Sequence, residues 1–475
     1  MSSSGHILVF PFPAQGHMLP LLDLTHQLSL RGLTITILIT PKNLPILTPL
    51  LSSSPSIQTL ILPFPDHPSL PPGVENVKDI GNHGNIPIMA ALTKLQHPII
   101  QWFNSHPNPP VALLSEFFLG WTHHLATHLQ IPRIAFYSVG AFTAATFNHL
   151  WSNYDSLKPG IDVEFDELPR TPIFPWDHLP SLFRRCKDLE CTDKNDADFI
   201  KTSMAANALS WASVFNSFWP LEDQFLEFLR LKQGHPRVYS VGPLNLVAGS
   251  GQLRAGDSKC DSDDGVISWL DGCEDGSVLY VCFGSQKWLK SAQAEALAIG
   301  LETSGVRFVW VIKTLSAQQV ADGYGSVPDG FETRVSGRGF VLKGWAPQTA
   351  ILSHRAVGGF LSHCGWNSVL EAMTAGVMIL GWPMEADQFA NARLLVEYKG
   401  AAALVCEGAD TVPDSAELAR KLKEAMHGGD AATPRSRAKE LCKQASEAVN
   451  NGGSSMGDLD RLVQQVSQLK AVKNV

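Results

Sequence analysis

The amino-acid sequence predicts an α/β protein made of two doubly wound domains, each with a parallel sheet. In both halves of the chain, short apolar runs alternate with segments of helical periodicity. A segment rich in Gly, Ser and Asp, with few apolar residues, separates the two halves. The chain has 475 residues, which fits two domains of roughly 200 residues or more better than one hydrophobic core.

The N-terminal half opens with a predicted strand, helix and second strand. Residues 6–12 (HILVFPF) form a near-continuous apolar run, which is typical of a strand buried on both faces. Helical periodicity follows over 19–31, Gly32 is placed to end the helix, and the next strand is predicted at 33–40. This unit implies parallel strands with a right-handed crossover. Further apolar runs at 111–114 and 134–137 continue the alternation.

The C-terminal half alternates more clearly. Strands are predicted for the apolar runs at 277–284, 307–313, 339–345, 357–363 and 377–383. Helices are predicted at 292–303, 366–375 and 386–398, with an amphipathic helix at 459–469 near the end of the chain. The segment 315–330 is Gly-rich and aperiodic, which predicts a mobile loop.

These patterns divide the chain into four segments. We expect an N-terminal domain at 1–246, a linker at 247–264 and a C-terminal domain at 265–458. The last segment, 459–475, is expected to pack back across the domain junction as a helix. Ligands of open parallel sheets bind outside the carboxyl ends of the strands, so we expect the two domains to face each other across a ligand-binding cleft.

Composition excludes several classes of protein. Hydrophobic residues make up 44% and charged residues 17% of the chain, which excludes global disorder. The net charge of −8 argues against a nucleic-acid or anionic-membrane surface. The N-terminus lacks the features of a secretory signal, and no apolar run approaches the ~20 residues of a membrane span. The eight cysteines are scattered, which favours reduced thiols in a cytoplasmic protein.

The segment 345–388 carries the strongest functional signal. The first turn of the helix predicted at 366–375 offers main-chain N–H groups to a diphosphate, and Asn367 and Glu371 project from one face of that helix. A carboxylate there can accept both hydroxyls of a ribose, and Trp345 offers a plane for a nucleobase. Each residue alone is more often a core residue or a helix cap. Together they predict a site for a nucleotide sugar.

Competing sites have weaker support. No Gly-x-Gly-x-x-Gly follows a predicted strand and no Gly-x-x-x-x-Gly-Lys-Ser/Thr occurs, which argues against a nicotinamide cofactor and a P-loop. Asp-x-Asp spacings at 196–198 and 261–263 resemble those of metal-dependent transferases, but no buried strand precedes them. His124 and His128 have the spacing of metal ligands without a third ligand. Solvated surface is the better interpretation of these three segments.

The motifs resemble the signature of the plant family 1 UDP-sugar-dependent glycosyltransferases. The matching segments are WAPQ at 345–348, HCGWNS at 363–368, Glu371, Asp387-Gln388, FGS at 283–285, GHMLPLLDL at 16–24 and GGSS at 452–455. DLTHQLSLRG and TPKN are similar to the branch containing flavonol and hydroxybenzoate glycosyltransferases. The resemblance implies a GT-B fold with two Rossmann-like domains, inversion at the anomeric carbon, a UDP-sugar donor, and neither a metal nor another cofactor.

The resemblance also implies a role for each matching residue. Trp345 would stack on uracil, and Gln348 and Glu371 would hold the ribose. The diphosphate would contact Ser285, His363, Asn367 and Ser368, and the sugar hydroxyls would contact Trp366, Asp387 and Gln388. In this family, Gln at the last position usually accompanies UDP-glucose, so Gln388 favours glucose.

His17 is the candidate general base. It lies between the first predicted strand and helix, where an imidazole with a reference pKa of about 6.5 can take a proton from a hydroxyl. A histidine at such a turn is by itself more often a packing or capping residue, but His17 matches the catalytic histidine of the family. The family pairs that histidine with an aspartate in a motif resembling SDFFLGWT. Here Glu116 replaces the aspartate, which moves the carboxylate by about 1.5 Å, and we expect Glu116 to orient His17.

The acceptor is expected to be aromatic. Phe118 and Phe142 follow strand ends and could line a flat pocket for a phenolic ring. The sequence therefore predicts a monomeric, inverting, metal-independent hexosyltransferase that moves glucose from UDP-glucose to a hydroxyl of a small flavonoid or hydroxybenzoate. Three alternatives remain: transfer of rhamnose or xylose, C-glycosylation, and a UDP-sugar-binding protein whose catalysis is weak because Glu116 replaces the usual aspartate.

Overall fold

The structure is a computed structural model that describes residues 5–188, 194–247, 261–284, 287–427 and 432–470. Its described residues form two compact α/β units. One falls within Met1–Asp177, Ser181–Gly256 and Glu447–Val475, and the other within His178–Pro180 and Asp257–Ser446. Residues 447–458, which the sequence pattern assigns to the C-terminal domain, therefore group with the N-terminal unit. Among the described helices, none is both long enough and apolar enough to span a membrane.

Parallel strands form the centre of the N-terminal unit. The strands are β1 His6–Phe10, β2 Thr34–Ile39, β3 Gln58–Ile61, β4 Ala112–Glu116, β5 Arg133–Tyr137, β6 Val163–Glu164, β7 Ile173–Phe174, β8 Ala212–Phe215 and β9 Val238–Ser240. Within the described residues, seven of them form one sheet in the order β3-β2-β1-β4-β5-β8-β9, and β6 and β7 form a separate antiparallel pair. All residues of β1, β4 and β5 are buried, which explains the apolar runs in their sequences, and the buried polar residues Ser115, Glu116 and Arg133 lie at the ends of β4 and β5.

Helices connect these strands. They are α1 Gln15–Leu30, α2 Thr48–Ser53, α3 Asn85–Thr93, α4 Gln96–Ser105, α5 Thr122–His128, α6 Ala141–Ser152, α7 Ser181–Asp188, α8 Lys194–Ala205 and α9 Trp219–Gln233. Short 3-10 segments occupy Pro41–Leu47, Val77–Asp79, Asn82–Gly84, Phe117–Leu119, Trp176–His178, Ala206–Leu209 and Leu244–Leu246. Helix α1 begins at Gln15, before the predicted start at residue 19. The sequence pattern does not show this first turn, because Gly16 and His17 are half-buried and carry no apolar periodicity.

The C-terminal unit repeats this architecture. Its strands are β10 Val278–Cys282, β11 Arg307–Ile312, β12 Gly339–Lys343, β13 Val357–Ser362, β14 Met378–Gly381 and β15 Ala402–Leu404. Its helices are α10 Asp261–Asp271, α11 Ser291–Ser304, α12 Ala317–Ala321, α13 Phe331–Arg334, α14 Gln348–Leu352, α15 Trp366–Ala375, α16 Gln388–Arg393, α17 Ser415–His427 and α18 Ala432–Val449, with a π-helical turn at Leu394–Tyr398. The last three residues of α18 group with the N-terminal unit. The described strands form a six-stranded parallel sheet in the order β12-β11-β10-β13-β14-β15. All five predicted strands of this half are therefore confirmed.

The helix predicted at 366–375 is confirmed as α15. Gly365 precedes it in an extended conformation, and Gly376 follows it in the left-handed conformation with φ of 68°. A residue with positive φ cannot continue a right-handed helix, and glycine adopts this conformation at little cost. Gly365 and Gly376 therefore mark the two ends of α15, whose first turn carries Trp366, Asn367 and Ser368.

Two elements differ from the sequence pattern. The segment 315–330, predicted to lack regular structure, contains α12, whose end is capped by Ser316 and Gln319. None of the α12 residues is buried, so the segment shows no apolar periodicity. Helix α10 begins at Asp261, inside the predicted linker 247–264, and residues 248–260 of that linker lie outside the described residues.

The last described helix, α19 (Ser454–Ser467), packs on the core of the N-terminal unit. Its apolar stripe joins the cluster formed around β1, β2 and β4 through Leu459, Leu462 and Val466. The main-chain N–H of Ser240 also donates to Oδ2 of Asp458 at 2.8 Å. The amphipathic pattern at 459–469 is thus explained by burial of one face.

Candidate functional site

His17 and Glu116 form a hydrogen-bonded pair in the N-terminal unit. His17 lies in the first turn of α1, directly beyond β1, and Glu116 ends the neighbouring strand β4. Nδ1 of His17 lies 2.8 Å from Oε1 of Glu116. Because a carboxylate only accepts hydrogen bonds, Nδ1 carries the proton and Nε2 is the basic nitrogen. The glutamate side chain therefore reaches the imidazole from the position at which the family pattern has an aspartate.

The carboxylate of Glu116 is fully buried and receives two further hydrogen bonds. The main-chain N–H of Phe118 donates to Oε2 at 2.8 Å, and the hydroxyl of Ser138 donates to Oε1 at 2.8 Å. Oγ of Ser138 also lies 3.1 Å from Nδ1 of His17. Three donors, from His17, Phe118 and Ser138, thereby hold the Glu116 carboxylate in one orientation. Sequence reasoning missed Ser138, although its position directly after β5 was a usable signal.

A buried arginine lies behind this pair. Arg133 begins β5, and its guanidinium donates to Oγ of Ser115, Oδ1 of Asn207 and Oγ of Ser210 at 2.8–2.9 Å. Burial lowers the pKa of Arg133 to about 10, and the nearby charge of Glu116 opposes that shift. Arg133 therefore remains protonated at neutral pH and offsets the charge of the buried Glu116 carboxylate.

Aromatic rings surround His17. The ring centroid of Phe118 lies 4.5 Å from that of the imidazole, and those of Phe12 and Phe117 lie 5.4 Å and 5.8 Å away. The side chain of His17 keeps 21% of its surface exposed. The imidazole is thus held between apolar walls but remains accessible to a ligand. This arrangement suits the deprotonation of a hydroxyl on an aromatic molecule.

The two residues expected to contact the acceptor lie in different surroundings. Phe118 lies against the imidazole, as described above. Phe142 is 1% exposed and stacks on Phe225 with 4.4 Å between ring centroids. Its main-chain N–H donates to the buried carboxylate of Glu222 at 2.8 Å. The structure therefore places Phe142 in the core, because β5 and α6 pack its ring against α9, and only Phe118 of this pair lies at the candidate site.

In the C-terminal unit, Gln348 and Glu371 are directly joined. Nε2 of Gln348 donates to Oε2 of Glu371 at 2.6 Å and lies 3.3 Å from Oγ of Ser368. The hydroxyl of Tyr280 donates to Oε1 of Gln348 at 3.2 Å. Three elements, β10, α14 and α15, thereby fix one polar cluster. Trp345, three residues before Gln348, is 60% exposed and offers its indole plane to a ligand.

His363 follows β13 and is half-buried between two glycines. A Cβ atom built on Gly284 would lie 2.6 Å from Cε1 and Nε2 of the imidazole, and one on Gly365 would lie 2.6 Å from Nε2. Within the described part of the chain, Nδ1 of His363 is buried without a hydrogen-bond partner. Burial lowers the pKa of His363 to about 3, helped by the charges of Lys313 and Lys287. The imidazole is therefore neutral near pH 7 and carries a single N–H donor.

The first turn of α15 lies next to His363. Trp366, Asn367 and Ser368 are its first three residues, and the N–H groups of a first turn have no partner inside the helix. Trp366 is 3% exposed, so its ring lies in the core of the C-terminal unit rather than at the surface. Ser285, the remaining residue expected at the diphosphate, lies outside the described residues.

The Asp-Gln pair that ends the signature is tied to the same region. Asn391 donates through Nδ2 to Oδ2 of Asp387 at 2.8 Å and to the main-chain oxygen of Cys364 at 3.0 Å. Oε1 of Gln388 accepts the N–H groups of Met384 and Glu385 at 2.9 Å and 3.0 Å. Since its carbonyl is occupied by these two donors, Gln388 presents its amide N–H groups to other partners.

Lys313 is a charged residue that sequence reasoning missed. It directly follows β11, donates through Nζ to the main-chain oxygen of Lys287 at 2.8 Å, and lies 4.4 Å from the ring centroid of Trp288. Burial lowers its pKa to about 8, and the thiol of Cys282 opposes that shift. Its charge acts on His363, as the lowered pKa of that imidazole indicates. The signal for Lys313 in the sequence is its position directly after a predicted strand, where ligands of parallel sheets bind.

The competing metal motifs in α8 and α5 form no ligand cluster with other described side chains. Asp196 lies in α8, where its carboxylate is 3.9 Å from Nε2 of His67, and His124 and His128 lie in α5. The side chains of 261–263 lie outside the described residues. In the ranges that the structure describes, no group of three or more His, Cys, Asp and Glu side chains is placed to hold a metal ion.

Comparisons with known proteins identify the family. Residues 251–429 match the family model described as UDP-glucoronosyl and UDP-glucosyl transferase. UDP-glycosyltransferase 89A2 of Arabidopsis thaliana is 53% identical, over 98% of this chain and 97% of its own. Flavonol 3-O-glucosyltransferase UGT89B1 of the same plant is 48% identical, over 98% of this chain and 96% of its own.

A solved structure shows the same fold. The crystal structure of Arabidopsis thaliana UGT89C1 complexed with UDP-L-rhamnose matches with a TM-score of 0.78 and 38% identity, over 97% of this chain and 99% of that chain. The predicted GT-B class, with two parallel-sheet α/β domains, is confirmed. Similarity at this level over nearly the whole chain establishes kinship and activity class. The chain belongs to the plant family 1 UDP-sugar-dependent glycosyltransferases, in the branch that contains flavonol glucosyltransferases, and it is a UDP-glycosyltransferase.

Proposed function

We propose that this enzyme transfers glucose from UDP-glucose to a hydroxyl of a flavonoid or a related small phenol, with inversion at the anomeric carbon. The observation that carries the proposal is the 2.8 Å hydrogen bond between Nδ1 of His17 and Oε1 of Glu116. It leaves Nε2 of an accessible imidazole as a base. The relative named flavonol 3-O-glucosyltransferase, 48% identical to this chain, supports both the glucose and the flavonoid.

In the proposed reaction His17 acts as the general base. Nε2 takes the proton of the phenolic hydroxyl while the oxygen forms a bond to the anomeric carbon. The bond from that carbon to the diphosphate oxygen breaks, and its electron pair leaves with UDP. The imidazolium formed on His17 is stabilised by the carboxylate of Glu116, which lies against Nδ1. The phenolic ring would contact Phe118, whose ring lies against the imidazole.

The proposed donor site uses the polar clusters of the C-terminal unit. Uracil would stack on Trp345, and the ribose would bind the joined pair of Gln348 and Glu371. The diphosphate would accept hydrogen bonds from the first turn of α15 and from His363, with the ammonium of Lys313 as a counter-charge. A helix N-terminus and a lysine together supply positive potential, so we propose that no metal takes part. Undiminished turnover in the presence of EDTA would support this.

Rhamnose is the second candidate sugar. A structure 38% identical to this chain is a complex with UDP-L-rhamnose, so the branch includes proteins that bind that donor. The match of Gln388 to the last residue of the family signature supports glucose, and its amide N–H groups can donate to sugar hydroxyls because its carbonyl is occupied. A matrix of UDP-glucose, UDP-L-rhamnose and UDP-xylose against flavonols and hydroxybenzoates, read by mass spectrometry, tests the proposal. If the products carry only an added deoxyhexose or pentose, the donor is UDP-L-rhamnose or UDP-xylose and the proposal of UDP-glucose is wrong.

The same matrix separates the remaining alternatives. Products that resist acid and β-glucosidase would identify C-glycosylation in place of O-glycosylation. Stabilisation of the protein by UDP without consumption of any UDP-sugar would identify a binding protein with weak catalysis, attributable to Glu116. Release of UDP coupled to O-glucoside formation would support the main proposal.

We also propose that the enzyme is a cytoplasmic monomer. The cysteines in the described part of the chain carry free thiols, and Cys186, Cys273 and Cys364 are buried, as expected for a reducing compartment. Light scattering on the purified protein and imaging of a fluorescent fusion in plant cells test the two statements separately.

A further inference from the structure

A serine joins the His17–Glu116 pair in a three-membered cluster. Ser138 is buried and follows β5, the strand that pairs with β4. Its Oγ lies 2.8 Å from Oε1 of Glu116 and 3.1 Å from Nδ1 of His17. We propose that Ser138 is a positioning residue, which acts through Glu116 to hold His17 in the tautomer that leaves Nε2 basic. This inference rests on the proposed role of His17 as the base.

The protons available in the cluster favour one tautomer. The Ser138 hydroxyl has a single proton, and both Oε1 of Glu116 and Nδ1 of His17 lie within its reach. With the proton on Nδ1, the imidazole donates to Glu116, the hydroxyl also donates to Glu116, and a lone pair of Oγ points towards the N–H. With the proton on Nε2 instead, two acceptors, Nδ1 and Oε1, would lie 2.8 Å apart and share the one hydroxyl proton. The hydroxyl proton thus serves one acceptor in either tautomer, so the preference for the Nδ1–H form comes from Glu116, and Ser138 acts on it by holding that carboxylate in place.

The hydroxyl also fixes the carboxylate itself. A glutamate has one more side-chain torsion than an aspartate, so its carboxylate can adopt more orientations. In Glu116, Oε2 is held by the N–H of Phe118 and Oε1 by Ser138. With both oxygens held, Oε1 stays within 2.8 Å of Nδ1 of His17 despite the additional methylene. Removal of the Ser138 hydroxyl would release one of the two oxygens.

Site-directed variants test this inference. Ser138→Ala removes the hydroxyl, Ser138→Thr keeps it, and Ser138→Cys keeps the side-chain volume with a weak donor. The matched control is Ser213→Ala, since Ser213 is also a buried strand serine and donates to Oε1 of Gln233 at 3.1 Å. Melting temperatures of all variants show which of them fold. If the alanine variant does not fold, the cysteine variant takes its place.

We expect Ser138→Ala to lower kcat about tenfold with little change in either KM, a fraction of the ~10²-fold or more that a general base contributes. Ser138→Thr should restore most of the rate, and Ser213→Ala should leave it unchanged. In a Glu116→Gln background, Ser138→Ala should have little further effect, since residues that act through one another are not additive.

The tautomer is measured without turnover. Selective ¹⁵N labelling of histidine, with His17 assigned by the signals lost in His17→Ala, reports which ring nitrogen carries the proton. Wild type should show His17 protonated on Nδ1, and Ser138→Ala should show a mixture.

The outcomes separate two failures. If His17→Ala is inactive while Ser138→Ala keeps the wild-type kcat and tautomer, the inference about Ser138 is wrong and the base remains. If His17→Ala is as active as wild type, the proposed base is wrong, and the ¹⁵N spectrum of Ser138→Ala still decides whether Ser138 sets the tautomer. A loss of kcat in Ser213→Ala equal to that in Ser138→Ala would also overturn the inference, because any buried serine would then have the same effect.

Discussion

The amide nitrogen of Gln348 donates to a carboxylate oxygen of Glu371 at 2.6 Å, so residues from α14 and α15 form one polar unit. Tyr280 fixes the other end of the Gln348 amide at 3.2 Å. The orientation of the Glu371 carboxylate is therefore set before a ligand binds. A pre-organised acceptor reduces the ordering cost of binding a ribose.

Replacement of Glu371 by Gln should weaken donor binding more than it slows the chemical step. The variant replaces a charged acceptor by an amide, and hydrogen bonds to charged groups contribute about 1.5–3 kcal/mol. We expect KM for the UDP-sugar and Kd for UDP to rise by roughly tenfold or more, with kcat changed less. Steady-state kinetics and calorimetry with UDP measure the two effects. A variant with unchanged UDP affinity but a much lower kcat would contradict the ribose role.

The Glu116 carboxylate should be required for turnover. Glu116→Gln removes the charge that stabilises the imidazolium of His17, so kcat should fall about 10²-fold. Glu116→Asp keeps the charge and should retain more activity than Glu116→Gln, although its shorter side chain lengthens the 2.8 Å contact. Measurements of kcat with saturating donor and acceptor give the comparison.

The matched control for Glu116 is Glu222→Gln. Glu222 is also fully buried, and its carboxylate accepts the N–H of Phe142 at 2.8 Å and the hydroxyl of Ser217 at 2.6 Å. Its replacement should lower the melting temperature but leave kcat per folded molecule unchanged. If Glu222→Gln and Glu116→Gln reduced kcat equally, the effect would be one of buried charge rather than of pairing with His17.

Much of the site was predictable because it lies at strand ends. His17, Glu116 and His363 each lie at or just beyond the end of an apolar run. Within each of the two sheets, the parallel strands bring their carboxyl ends to the same side. The residues that were missed, Ser138 and Lys313, also follow strands. They were passed over because a single serine or lysine after an apolar run does not by itself indicate chemistry.

Other features depend on packing that the local pattern does not reveal. Phe142 also lies shortly after a strand, but its position in α6 packs the ring on Phe225 in the core. Helix α12 was missed because it buries none of its residues. Strand β15 has only three residues, Ala402–Leu404, and a run this short carries no detectable period. In each case, contacts between distant segments determine the structure.

Binding of UDP should weaken at alkaline pH because of Lys313. Burial lowers the pKa of this lysine to about 8, so it is cationic below that pH and loses its charge above it. Since the diphosphate is an anion, affinity should fall as the pH rises through about 8. His363, with a pKa of about 3, stays neutral over the same range and contributes no step. Calorimetry with UDP from about pH 6 to about pH 9.5 follows the change.

Lys313→Met should lower UDP affinity at neutral pH and remove its alkaline decline. Lys290→Met is the matched control, because Lys290 also donates to a main-chain oxygen, that of Asp322 at 3.0 Å, and lies 4.1 Å from the ring centroid of Tyr324. That control should bind UDP as wild type does. An alkaline decline that persisted in Lys313→Met would assign the titration to another group and remove Lys313 from the diphosphate site.

The glycines around His363 should be intolerant of a side chain. Gly284 has φ of 73°, and a Cβ there would lie 2.6 Å from two atoms of the imidazole ring, so Gly284→Ala both strains the backbone and displaces His363. Gly305 has φ of 72° with no atom within 4 Å of its Cβ position, so Gly305→Ala introduces the strain alone. Both variants should lose about 1 kcal/mol of stability from the left-handed conformation.

Only Gly284→Ala should also lose UDP affinity, by about tenfold or more, because the displaced imidazole can no longer donate its N–H to the diphosphate. Chemical denaturation and UDP titration of the two variants separate these effects, and equal UDP affinity in both would show that the position of His363 does not matter for donor binding.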